Sequence, residues 1–143
     1  MLNQNPLALA IAHITAKAAQ PAIHWPRGGS VSDRIFNCWG CVEEAAPYPP
    51  DPSSPEAIDG THSHTCLEIL LTAKEWNAST LLGKTLRDHE GDFIVEEDRV
   101  ERLQIALDYI KERYDACGSP DLYTELFVDA GSAYHIPEWG GPA

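Results

Sequence analysis

Between Val100 and Cys117 apolar residues return at spacings of three and four: Val100, Leu103, Leu107, Ile110, Tyr114 and Cys117. A repeat of that length fits one face of an α-helix and no strand, so whatever this chain folds into must offer that face a partner. Glu96, Glu97 and Asp98 precede the repeat and Gly118 follows it. Carboxylates beside the positive end of the helix dipole and a glycine at the left-handed exit mark the two ends. The spacing predicts a helix from about residue 98 to 117, and the core is expected to form on it.

Pro6 followed by Leu7, Ala10, Ile11, Ile14 and Ala18 predicts a second amphipathic helix that stops before Pro21. Residues 47–55 hold five prolines, which removes too many donors for a helix or central strand and predicts a surface loop. Beyond it, Thr61 or Ser63 can cap a helix carrying Cys66, Leu67, Leu70, Leu71 and Ala73 to about Trp76. A brief helix is expected over 79–88, weakened by Gly83, and a short strand over 92–95. Ser119-Pro120-Asp121 reads as the cap of a further short helix through Leu122, Leu126 and Phe127, and residues 131–143 as an extended tail. The expected architecture is one mainly α domain, 1–143, of four to five helices. It includes a small irregular or short-stranded zinc-binding region, with Leu67, Leu70, Leu71, Leu103, Leu107, Ile110 and Phe127 buried.

Charge narrows the function. Asp and Glu total 22 against 10 Lys and Arg, a formal net charge of −12. Sixteen of the acids and seven of the bases lie beyond Gly60. A field of this sign repels phosphate backbones and attracts basic surfaces, so direct nucleic-acid binding is disfavoured and a basic protein partner is favoured. Glu96, Glu97, Glu101, Asp108 and Asp115 are the candidate partner-binding residues. No run reaches the roughly 20 apolar residues that a membrane span needs. The run Leu7-Ala8-Leu9-Ala10-Ile11-Ala12 imitates the core of a secretory signal, but no Lys or Arg precedes it and His13 and Thr15 interrupt its end. A cytoplasmic protein with reduced thiols is expected.

Three of the four cysteines fall near two histidines, in Cys38-Trp39-Gly40-Cys41 and His62-Ser63-His64-Thr65-Cys66. Zinc takes four ligands in a tetrahedron, and two intervening residues let both early thiolates grip one ion from a tight turn. The candidate ligands are Cys38, Cys41, His62 and Cys66, the last two one helical turn apart, with His64 or Cys117 as substitutes for the fourth. Four protein ligands leave no open position, which points to a structural ion. A thioredoxin-like use of the Cys-x-x-Cys pair lacks the alternating β and α units it requires. Ala78-Ser79-Thr80-Leu81-Leu82-Gly83-Lys84-Thr85 fits only the loosest phosphate-loop pattern, because the residues before it read as helix rather than strand. Asp88-His89-Glu90-Gly91-Asp92 reads as a solvated turn.

These features predict a non-enzymatic, zinc-stabilised acidic protein that engages a basic protein partner. By analogy of charge and size, small phage-encoded inhibitors of nucleic-acid-handling machinery work in this way. Two alternatives stand beside it. One is a small zinc hydrolase using His62 and His64 with Glu68 as base. The other is a structural component of a phage or multiprotein assembly, with Tyr134 and Trp139 of the tail exposed.

Overall fold

A computed structural model describes residues 5–20 and 52–124, together with a strand pair further on. Among the described residues there are three α-helices and two small antiparallel sheets: α1 (Pro6–Ala18), α2 (Pro55–Thr72), a 3-10 turn (Ala78–Leu81), β1 (Thr85–Asp88), β2 (Gly91–Ile94), α3 (Glu97–Ala116), β3 (Phe127–Val128) and β4 (Gly141–Pro142). The protein is mainly α with some sheet. The chain falls into two compact units. One comprises residues 1–22 and 53–124, the other 23–52 and 125–143. Within the second, β3 pairs with β4, Phe127 opposite Pro142 and Val128 opposite Gly141.

Local chemistry sets the helix ends of the first unit. Asn5 accepts the Leu7 amide at 3.0 Å and Pro6 occupies the first turn of α1, where its missing N–H costs nothing. Ser54 and Pro55 repeat this arrangement at α2, with Ser54 Oγ accepting from the Ala57 amide at 3.2 Å. The helix therefore begins two turns earlier than Thr61 or Ser63 would place it. Thr61 instead donates its hydroxyl to the Ala57 carbonyl at 3.0 Å, as an interior helical threonine does. Residues 47–51 of the proline-rich segment lie outside the described residues, and its last two residues are the cap and first turn of α2.

Both α2 and α3 close with a paired hydrogen-bond motif. At α2, Glu75 N donates to Leu70 O and Lys74 N to Leu71 O; at α3, Ser119 N donates to Tyr114 O and Gly118 N to Asp115 O. The residue at the left-handed position is Gly118, at φ +79°, in one case and Lys74, at φ +52°, in the other. Ser119 also has a positive φ, +54°, and is used to end α3. It does not cap a new helix. Residues 120–124 are not helical, and Phe127 lies in a strand, which corrects the short helix expected there.

The segment 79–88 is the other correction. A 3-10 turn ends at Leu81, Gly83 takes φ +72°, and Thr85–Asp88 runs as a strand. It pairs with β2 in the register Thr85–Ile94, Leu86–Phe93, Arg87–Asp92 and Asp88–Gly91. Neither His89 nor Glu90 takes a positive φ, and Gly91 at φ +123° completes the reversal. The strand begins where a phosphate loop would need a helix, which removes that resemblance.

The core gathers Ala10 and Ile14 of α1, Cys66, Ile69 and Leu70 of α2, Ala78 and Leu81 of the turn, Leu86, Phe93 and Val95 of the hairpin region, and Leu103 and Leu107 of α3. Leu70, Leu103 and Leu107 are buried as expected, whereas Leu67, Leu71 and Ile110 are only partly covered. The Phe127 side chain lies outside the described residues. Gln104 binds α3 to the 3-10 turn: its Oε1 accepts the Ala78 amide at 2.9 Å and its Nε2 donates to the Trp76 carbonyl at 3.0 Å.

Candidate functional site

Alternation along β1 turns Leu86 and Asp88 inward and leaves Thr85 and Arg87 outside. A carboxylate is thereby carried into the core beside α2, and a buried charge requires hydrogen-bonding partners. Asp88 has them. Its Oδ2 stands 2.7 Å from His62 Nδ1 and accepts from Thr65 Oγ1 at 3.2 Å, while Oδ1 accepts the Glu90 amide at 2.9 Å. His62 and Thr65, three residues apart on α2, therefore grip one oxygen, and the hairpin turn holds the other.

The His62 ring lies on Phe93 of β2, with centroids 4.0 Å apart and planes 16° from parallel. The Arg99 guanidinium carbon is 5.2 Å from the centroid of the same ring. Arg99 donates through Nη2 to Asp59 Oδ1 at 2.5 Å, and Arg102 donates through Nη1 to Asp59 Oδ2 at 2.8 Å. Asp59 is thus shared by two guanidinium groups from successive turns of α3. Arg99 Nε, Arg99 Nη1 and Ser63 Oγ are buried with no hydrogen-bond partner among the described residues.

The shared pairing sets the acid sensitivity of Asp59. Arg102, with Arg99 beside it, lowers the Asp59 carboxyl from its ordinary 3.8 to about 2. A depressed folded-state value contributes stability that is fully present above about 3.8 and is lost as the pH falls towards 2. Asp59 is 40 % exposed, so solvent screening keeps the effect small. Urea melts across this window should show a steeper acid loss in the wild type than in Asp59→Asn. Parallel curves would mean that the two arginines do not hold this carboxylate in solution.

This cluster does not assemble a nucleophile. Ser63 Oγ makes no hydrogen bond to His62, so among the described residues the histidine and aspartate have no third member of a hydrolytic relay. Cys66 is fully buried, and burial pushes its thiol up to about 11, opposite to the direction that activates a thiolate. Glu68, the base in the hydrolase alternative, is in an ion pair with Lys17 of α1 at 3.0 Å.

Of the proposed zinc ligands, Cys38 and Cys41 lie outside the described residues. His62 and Cys66 stand one turn apart on α2; His64 is exposed on the same helix, and Cys117 is exposed at the end of α3. No group of three or more His, Cys, Asp or Glu that could hold a metal forms among the described residues. Tyr134 and Trp139 also lie outside them.

The candidate partner-binding acids are all exposed. Glu96 is the cap residue of α3, without a capping hydrogen bond from its side chain. Glu97, Glu101, Asp108 and Asp115 follow at spacings of four, seven and seven, which places them on one flank of the helix. Glu112, overlooked in the sequence, falls on the same flank, four residues from Asp108 and three from Asp115. Asp108 accepts from Gln104 Nε2 at 2.8 Å, and Asp115 pairs with Lys111 at 2.5 Å. Glu97, Glu101 and Glu112 make no ion pair among the described residues.

This chain matches no protein-family model, no curated protein and no solved structure. Among the described residues no helix is long and apolar enough to cross a membrane.

Proposed function

We propose that this protein is a non-enzymatic binding protein that engages a basic protein surface through its acidic exterior. The carrying observation is how its charges are used. Lys17, Arg87, Arg99, Arg102 and Lys111 are each drawn into an ion pair with a neighbouring carboxylate, whereas Glu97, Glu101 and Glu112 stand exposed along one flank of α3. Among the described residues these five of eight lysines and arginines are paired, while Lys74, Lys84 and Arg113 are exposed without an ion pair, and the unpaired carboxylates of α3 face outward. Such a field speeds encounter with cationic surfaces and disfavours anionic ones. An inhibitor that occupies the basic groove of nucleic-acid-handling machinery is one form this function can take.

Stopped-flow association with a lysine-rich probe peptide at graded salt tests the reading. A triple variant, Glu97→Lys, Glu101→Lys and Glu112→Lys, should associate more slowly and with a flatter salt dependence than the wild type. Equal rates and equal slopes would refute it.

A structural zinc ion on Cys38, Cys41, His62 and Cys66 belongs to the same proposal. In its favour, the contact of Asp88 with Nδ1 fixes the His62 ring and leaves Nε2 as the coordinating nitrogen, the arrangement that carboxylates commonly impose on metal-bound histidines. Against it, Cys66 lies close enough to the Arg99 guanidinium for that charge to act on its thiol, and a cation there would meet another positive group. Metal analysis of the full chain at one zinc per protein, lost in Cys38→Ser and His62→Ala, would support the ion; background zinc would remove it from the proposal.

A further inference from the structure

Helix α3 presents two apolar side chains that the described residues leave largely exposed. Leu103 and Leu107 face the core, whereas Ile105 is 74 % and Tyr109 is 61 % exposed. The two stand four residues apart, so they touch the same strip of helix surface, opposite the buried stripe. One exposed apolar residue is ordinary, and an isoleucine at an exposed helical position is a poorer helix former than the alanine, glutamate or lysine that would serve there. Local helix stability does not account for the pair.

The surroundings of the strip are divided by charge. Glu101, Asp108 and Glu112 line one side. On the other side, Arg102 is tied to Asp59 and Asp98, and the Arg113 guanidinium lies 5.1 Å from the centroid of the Tyr109 ring. Arg102 is ion-paired within the chain and Arg113 lies against the Tyr109 ring, while Glu101, Asp108 and Glu112 are exposed, so the strip is apolar at its centre and negative along one border.

We infer that this strip docks an amphipathic basic helix of a partner protein, with Ile105 and Tyr109 as its apolar anchors. The inference rests on the acidic-binding reading and adds the place and shape of contact. An apolar pair on the partner helix lies against Ile105 and Tyr109, and lysines or arginines one row away meet Glu101, Asp108 and Glu112. A second copy of this chain is the poorer occupant, because it would set acid against acid in a protein of net charge −12.

Calorimetry on the full chain with two synthetic helical peptides tests this. Both carry the same lysines; one has leucines at positions i, i+3, i+4 and i+7 on its other face, and its control has serines there. Wild type should bind the leucine peptide about tenfold more tightly than the serine peptide, and Ile105→Ser with Tyr109→Ser should abolish that preference while leaving serine-peptide binding unchanged. Circular dichroism confirms that the double variant is folded, and Ile105→Ala alone should reduce the preference in the same direction. Equal binding of both peptides by the wild type, or a preference that survives the double variant, overturns the docking strip while the acidic reading stands. Binding of neither peptide overturns both. A concentration-dependent dimer that is lost in the double variant assigns the strip to a second copy and overturns the basic-helix partner.

Discussion

Leu107→Ala should remove about 3 kcal/mol of stability, a substantial fraction of the roughly 5–15 kcal/mol that holds a domain folded. Leu107 has no exposed surface and belongs to the cluster that joins all three helices to the hairpin. Truncation deletes buried methyl groups and leaves a void, and the neighbouring elements can fill it only in part because they are tied elsewhere. Gln104, one turn earlier on α3, is fixed to Ala78 and Trp76, and Arg99 and Arg102 are fixed to Asp59. Urea denaturation is the measurement, with an unchanged slope and a lowered midpoint as the expected signature. Ile105→Ala on the outer face of the same helix should stay within about 0.5 kcal/mol of wild type. A Leu107→Ala loss below about 1 kcal/mol would place α3 differently against the rest of the unit.

Asp88→Ala is expected to cost a similar amount, about 3 kcal/mol, by a different route. Asp88 is 6 % exposed and receives three polar contacts from two parts of the chain. Removing it strands the His62 ring nitrogen and the Thr65 hydroxyl in the interior and releases the Glu90 amide at the turn. Each stranded group retains its desolvation cost without a partner. Asp88→Asn preserves an acceptor for the Glu90 amide and should fall between wild type and Asp88→Ala. Hydrogen exchange at the β1–β2 amides, read beside thermal unfolding, locates the damage: the hairpin should lose protection first. Wild-type stability with full hairpin protection in Asp88→Ala would show that Asp88 does not join these elements.

How far this arrangement was legible depends on whether the deciding partner lies nearby in sequence. Helix α3 could be read because its apolar stripe, its acidic start and Gly118 all sit within the helix or next to it. Pro6 marked α1 for the same reason. The start of α2 was hidden because Ser54 and Pro55 close a run of prolines, while Gly60, Thr61 and Ser63 imitate a boundary inside the helix. Strand β1 escaped because it has only four residues and one of its two inward positions is Asp88, so hydrophobic alternation never develops. Asp88 itself read as part of a solvated turn, since its partners His62 and Thr65 lie 26 and 23 residues away. The acidic flank was visible from spacing except for Glu112. Ile105 and Tyr109 fall two residues out of phase with the Leu103–Leu107 stripe, and that offset is the sign of them the sequence carries.

Helix α1 packs on α2 and β1, although residues 23–52, which separate it from α2, belong to the other unit. Docking α1 is therefore a ring closure, kept intramolecular by the covalent link through residues 23–52. Severing it would convert an intramolecular association into a bimolecular one, making retention of the first helix dependent on protein concentration.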